Sequence, residues 1–134
     1  MIRSAKEFVE LRTSTNAQEY MRAATEDADL NVWLEVLREF PEMSVWVARN
    51  KTVPMEILQR LVLDPDAEVR AAVATKNKLP ADLMTALAAD PDDSVREQIV
   101  YNKNVRQDIL QTLAQDPVVR ISSAARERLS GQPD

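Results

Sequence analysis

The chain has 134 residues, 17 basic and 22 acidic side chains, and a net charge of −5. It contains neither cysteine nor histidine. This excludes disulfides, thiolate and imidazole metal ligands, iron–sulfur clusters, and nucleophile pairs built on Cys-His or Ser-His. The acidic balance opposes a phosphate backbone, so the composition argues against a nucleic-acid partner. No apolar run approaches membrane-spanning length and the first residues lack a signal-peptide core, so the expected location is cytoplasmic, away from membranes.

In chain order, Phe8, Val9 and Leu11 mark a short first helix. Asn16-Ala17-Gln18-Glu19 has the form of a capping box opening a second helix, with Tyr20, Met21 and Ala24 on its apolar side. Asp29 is placed to cap a third helix carrying Val32, Trp33, Val36 and Leu37, which Phe40-Pro41 ends. These helices keep no clear period, and residues 1–40 read as an N-terminal helical cap.

From there a repeat governs the chain. Asp64-Pro65, Asp90-Pro91 and Asp116-Pro117 stand 26 residues apart, a spacing at which repeat proteins stack supersecondary units. In one unit, Asp64 before Pro65 is a helix-start signature. Val69, Ala72 and Val73 then give a helical stripe, helix A, that ends at polar Lys76-Asn77-Lys78. Leu79-Pro80 restarts the chain into helix B, with Leu83, Met84, Leu87 and Ala88 on its buried face. Following each position by 26 residues, Val69 matches Met43, Val95 and Ile121; Val73 matches Val47, Ile99 and Ala125. Leu79 matches Val53 and Val105, Leu83 matches Ile57 and Ile109, and Leu87 matches Leu61 and Leu113. All are apolar and are expected in the core. Glu68 with Glu42, Ser94 and Arg120, and Thr85 with Gln59 and Gln111, change character and are expected in solvent. The expected repeat region is 41–129, in units 41–63, 64–89 and 90–115 with a terminal helix at 116–129, followed by a loose tail at 130–134, all one structural domain.

The phrases Asp64-Pro65-Asp66-Ala67-Glu68-Val69-Arg70-Ala71-Ala72-Val73-Ala74 and Asp90-Pro91-Asp92-Asp93-Ser94-Val95-Arg96 resemble the leucine-rich repeat variant family and short HEAT-like repeats, over roughly residues 38–129. The resemblance implies an all-α, right-handed α-α solenoid of about three helix-turn-helix repeats with helical caps, helix B sometimes tightening to 3₁₀. It also implies an adaptor role without catalytic residues. Some variant-repeat proteins carry a cysteine-bound iron–sulfur cluster, which a chain without cysteine cannot hold. HEAT-like DNA glycosylases supply the alternative reading, a nucleic-acid-binding or DNA-repair protein, but those are longer and basic.

Two charged edges follow from the repeat. The A-to-B turns carry Arg49, Lys51, Lys76, Lys78, Lys103 and Arg106, a ladder able to grip an acidic partner. Helix-dipole chemistry also favours cations there, and Glu56, Asp82 and Asp108 stand ready to neutralise them. The opposite edge, Glu42, Asp64, Asp66, Glu68, Asp90, Asp92, Asp93 and Asp116, is explained by helix starts, so no metal, cofactor or catalytic residue is assigned. Arg70 and Arg96 are expected to lay their stems over the stack and reach an acid or a carbonyl of the neighbouring unit. Trp46 occupies a register position held elsewhere by Ala72, Gln98 and Ala124. It either fills space against the N-terminal cap or projects as a binding anchor. Tyr101 is the exposed-aromatic candidate.

The sequence thus points to a non-enzymatic protein-interaction module whose partner is another protein. Trp46, Arg49, Lys51, Lys76, Lys78, Tyr101 and Lys103 are the candidate contact residues. Small size, acidity and the lack of an attached domain suggest a bacterial immunity protein or antitoxin masking a toxin, with a structural adaptor as the competing interaction reading.

Overall fold

The computed structural model describes residues 1–131. Among these the chain forms ten α-helices and one 3₁₀ turn. Contacts divide it into two compact units, the first Met1–Asp64 and the second beginning at Pro65.

The first unit holds α1 (Ala5–Thr13), α2 (Ala17–Thr25), α3 (Leu30–Glu39), the 3₁₀ turn Pro41–Met43, α4 (Ser44–Arg49) and α5 (Met55–Leu61). Ser4 caps α1 by accepting from the Glu7 amide, and Asn16 caps α2 by accepting from those of Gln18 and Glu19. The box at Asn16 is only half closed, because Glu19 accepts from the Ser14 hydroxyl instead. Asp29 is the N-cap residue of α3, but its side chain makes no capping bond. α1 packs on α2 and α3, α2 on α4, and α3 on α4 and α5. Phe8 meets Trp33 edge to face at 5.3 Å between centroids, both rings fully buried, which anchors α1 on α3.

The second unit holds α6 (Ala67–Ala74), α7 (Ala81–Ala88), α8 (Asp93–Tyr101), α9 (Gln107–Leu113) and α10 (Val119–Ser130). α6 packs on α8 and α8 on α10, α7 packs on α9, and α10 also closes over α9. The B helices α7 and α9 are α-helical, without tightening to 3₁₀.

The expected helix starts need correction. α6 and α8 begin two residues past each Asp-Pro, and their N-cap side chains are Asp66 and Asp92, accepting from the amides of Glu68 and Ser94. The earlier acid is already engaged: Asp90 accepts from the Asp92 amide and from Arg70, so it cannot also cap. Pro54 and Pro80 sit at N-cap positions with extended ψ, just outside the helices they precede.

Of the expected core positions, Val47, Ile57, Leu61, Val69, Val73, Leu79, Leu87, Val95, Ile99, Val105, Ile109, Leu113, Ile121 and Ala125 are buried. Met43, Val53 and Leu83 are only half-buried. Met43 ends the 3₁₀ turn and Val53 lies in the turn before α5, where no helical face turns them inward. The expected solvent positions, Glu42, Glu68, Ser94, Arg120, Gln59, Thr85 and Gln111, are all exposed. On α2 the expected apolar face is reversed: Tyr20 and Met21 are 40% and 51% exposed, while Ala23 is the buried residue. The terminal helix α10 lies where the sequence places it, and of the expected tail, residues 132–134 fall outside the described residues.

Candidate functional site

Two kinds of polar bond hold the repeat together, and both keep its spacing. Arg70 donates from Nε to Asp90 Oδ2 at 2.8 Å and from Nη2 to Oδ1 at 3.2 Å. Twenty-six residues on, Arg96 donates to Asp116 in the same two-pronged way, at 2.7 and 3.3 Å, and adds a bond to the Asp90 carbonyl at 2.8 Å. The expected role of these arginines is met by acids of the next unit, Asp90 and Asp116, while the carbonyl that Arg96 reaches lies in its own unit. Burial pushes the Asp116 carboxyl upward, but the Arg96 bonds, the Val118 amide and the charges of Arg96 and Arg120 together hold it below its ordinary value.

The second kind is a clasp at the end of the A-type helices. Asn102, 3% exposed, donates from Nδ2 to the Ala74 and Lys76 carbonyls at 2.8 and 2.9 Å, while its Oδ1 accepts from the Asn104 amide. One period later, Arg128 donates to the Val100 and Asn102 carbonyls at 2.6 and 2.8 Å. In the first unit Asn50 donates to the Ala23 and Glu26 carbonyls at 2.8 and 3.0 Å. That clasp spans 27 and 24 residues, where the Asn102 clasp spans 28 and 26. α2 therefore takes the place of an A-type helix whose register has slipped, which is why residues 1–40 hide their period.

The arginine pairs and the helix caps give much of the acidic edge structural work. Among the described residues, no group of three or more His, Cys, Asp or Glu side chains is placed to hold a metal ion. Arg106 pairs with Asp108 at 3.2 Å, the expected neutralisation. Lys78 and Lys103 are exposed in the second unit and Lys51 in the first. Lys76 stands at the register position of Asn50 and Asn102; burial lowers its ammonium to about 8. At pH 7 it is charged in both folded and unfolded chains, and the folded chain bears the burial cost. Between pH 8 and the unfolded value near 10.5 only the unfolded chain keeps the proton, so stability rises with pH. The urea midpoint is expected to increase from pH 7 to 9.5 by the equivalent of about 1–2 kcal/mol after allowance for partial solvent screening. Lys76→Met should flatten that rise; an unchanged slope would assign it to another group.

A concave surface lies in the first unit. Arg12, Tyr20, Ala23, Ala24, Trp46 and Arg49 line a groove of about 370 Å³ between α1, α2 and α4. The Arg12 guanidinium lies 3.4 Å from the Trp46 ring centre and that of Arg49 at 5.0 Å. Trp46 is half-buried: it meets Arg12 of α1, as the space-filling alternative expects, and it also lines the groove. Trp46 and Arg49 are brought together here. Lys51 meets α2 through its backbone, donating to the Ala24 carbonyl at 2.8 Å.

Tyr101, 59% exposed, lines a second, shallower groove of about 250 Å³ with Ala124, Glu127 and Arg128. Its cation is occupied by the Val100 and Asn102 carbonyls, and Glu127 offsets its charge. The sequence reading missed Arg12 and Tyr20. Tyr20 could have been found, since it stands 26 residues before Trp46. Arg12 could not, because α1 lies outside the period.

No helix among the described residues is long and apolar enough to cross a membrane. Comparison with curated proteins and with solved structures gives no significant match. A match does come at the level of the repeat, over the span from Ala67, the first residue of α6, to Asp92, the cap of α8: residues 67–92 fit the family model of the leucine rich repeat variant, a HEAT-like helical repeat.

Proposed function

We propose that this chain is a non-catalytic interaction module whose helix pairs stack as a right-handed α-solenoid and bind another protein. The observation that carries the reading is the clasp repeated at one period, Asn102 on the Ala74 and Lys76 carbonyls and Arg128 on those of Val100 and Asn102. Neighbour-to-neighbour bonds of this kind are how a solenoid holds short helices that are marginal alone. The acids at the helix starts are engaged in caps and ion pairs, Lys51, Lys78 and Lys103 stay exposed, and the groove around Trp46 supplies the concave surface for a partner. Half-buried tryptophan flanked by arginine is the composition of a binding hot spot. The specific role carried forward is a bacterial immunity protein or antitoxin that masks a toxin.

Coexpression with the protein encoded beside it is the test. The expected result is a stoichiometric complex and, for a toxin partner, restored growth. Trp46→Ala should weaken the complex by the equivalent of about 2 kcal/mol or more, with a small change in melting temperature. A monodisperse protein with no partner and no protection would reject the toxin role. Unfolding of Trp46→Ala without a separate binding defect would make the ring a packing element.

A further inference from the structure

Resting on the interaction reading, we infer that the Arg12–Trp46–Arg49 groove takes an acidic peptide segment of the partner, one side-chain carboxylate beside one apolar side chain. Charge complementarity carries the assignment. The chain is acidic as a whole, yet the six side chains lining this groove include two guanidiniums and no carboxylate. The groove is a local reversal of the molecule's sign.

The way Arg12 is held specifies the ligand further. Its guanidinium lies against the Trp46 ring at 3.4 Å from the centre, and it makes no ion pair among the described residues. Stacking occupies the flat face of a guanidinium and leaves its N–H groups, which lie in the plane, directed outward. A planar donor fixed in this way matches a carboxylate, which accepts two parallel bonds. The other lining groups are apolar: Ala23 and Ala24 form a small-residue floor, and Tyr20, 40% exposed, stands at the side. Small residues leave depth for an incoming leucine or phenylalanine, and the aromatic rings cover it. Acid and apolar side chain must therefore lie close together in the bound segment.

The probe is a random twelve-residue peptide library selected on the full chain, with enriched sequences resynthesised acetylated and amidated so that only side chains carry charge. Binding is read by calorimetry and by fluorescence, where Trp46 reports on the groove and fully buried Trp33 stays constant. Enrichment of Asp or Glu next to Leu, Phe or Trp is expected. Affinity should fall at least tenfold on Asp→Asn and Glu→Gln exchange in the peptide, and severalfold between 50 and 500 mM salt. Arg12→Gln should lose at least tenfold with its melting curve retained. Ala24→Leu, which keeps both arginines and fills the floor, should do the same. Peptides without acidic bias, or binding equal in Arg12→Gln and Ala24→Leu, would overturn the acidic-peptide assignment while leaving the interaction reading intact. An empty selection would also overturn it, and the interaction reading would then stand or fall on the complex with the intact partner.

Discussion

Arg96→Met is expected to destabilise the protein by about 3–5 kcal/mol at pH 7, because it leaves the Asp116 carboxylate buried without its counter-charge. The two side chains are 14% and 5% exposed and joined by two charge-assisted bonds, and the third Arg96 bond, to the Asp90 carbonyl, is lost as well. Asp116→Asn should cost less, about 1–2 kcal/mol, since an amide oxygen can still accept from the Val118 amide, now bonded to Asp116 Oδ1 at 2.9 Å. Replacing both, Arg96→Met with Asp116→Leu, should recover part of the loss, as removing a whole buried pair is gentler than removing half of it.

The pH dependence separates a lost charge partner from lost packing. In the unaltered protein the Asp116 carboxyl is held below its ordinary value, so its contribution is present above the unfolded pKa and is lost as pH falls through the folded one. In Arg96→Met the same carboxyl keeps only the Val118 amide and the charge of Arg120 against its burial, and its pKa moves up. Stability of the variant should then rise as pH falls from 7 toward 5, a window in which Asp116 leaves the parent's stability unchanged. Denaturant midpoints across that range decide the matter; parallel curves for the two proteins would mean that Arg96 acts only through its packed stem.

How much of this was legible follows from what a period can carry. The Asp-Pro and Val-Arg positions, the A and B helices, and the aliphatic faces could be read because each unit solves the same packing problem with the same residue types. The helix starts were misplaced by two residues, because sequence cannot reveal that Asp90 is claimed by Arg70 and Asp92 is left to cap. Trp46 and Arg49 were found as departures from the repeat. Arg12 reaches Trp46 from α1, a helix without a counterpart in the repeat, and only the chain's return through α2, α3 and α4 brings the two together. The exposed Tyr20 was taken for a core residue because a capping box and an apolar triplet say that a helix exists, not which side is covered.

Asn102→Asp exchanges one nitrogen for an oxygen at the clasp and is expected to cost about 3–5 kcal/mol at pH 7, as much as breaking a buried ion pair. The Asn102 amide group points two N–H bonds at the Ala74 and Lys76 carbonyls, at 2.8 and 2.9 Å. A carboxylate would set an anionic oxygen against both, with no donor and almost no water, the side chain being 3% exposed. Every residue at this register position, Asn50, Lys76, Asn102 and Arg128, carries an N–H donor. The amides of Asn50 and Asn102 and the guanidinium of Arg128 differ in charge and size yet all donate to backbone carbonyls, which is the requirement they share. Protonation offers the new carboxyl a remedy, because its O–H can donate one of the two lost bonds. Its folded pKa should therefore lie above the unfolded value of about 3.9. An acid with a raised folded pKa binds its proton more tightly when folded, so stability is regained as pH falls through that value. Asn102→Leu provides the comparison: it abandons both carbonyls and the Asn104 amide, should cost about 2–3 kcal/mol, and should add no pH dependence of its own. If thermal melts show Asn102→Asp and Asn102→Leu losing the same stability at pH 7 and pH 5, the clasp is held by shape and not by donation. The predicted outcome is that the two variants differ at pH 7 and draw together as the solution is acidified.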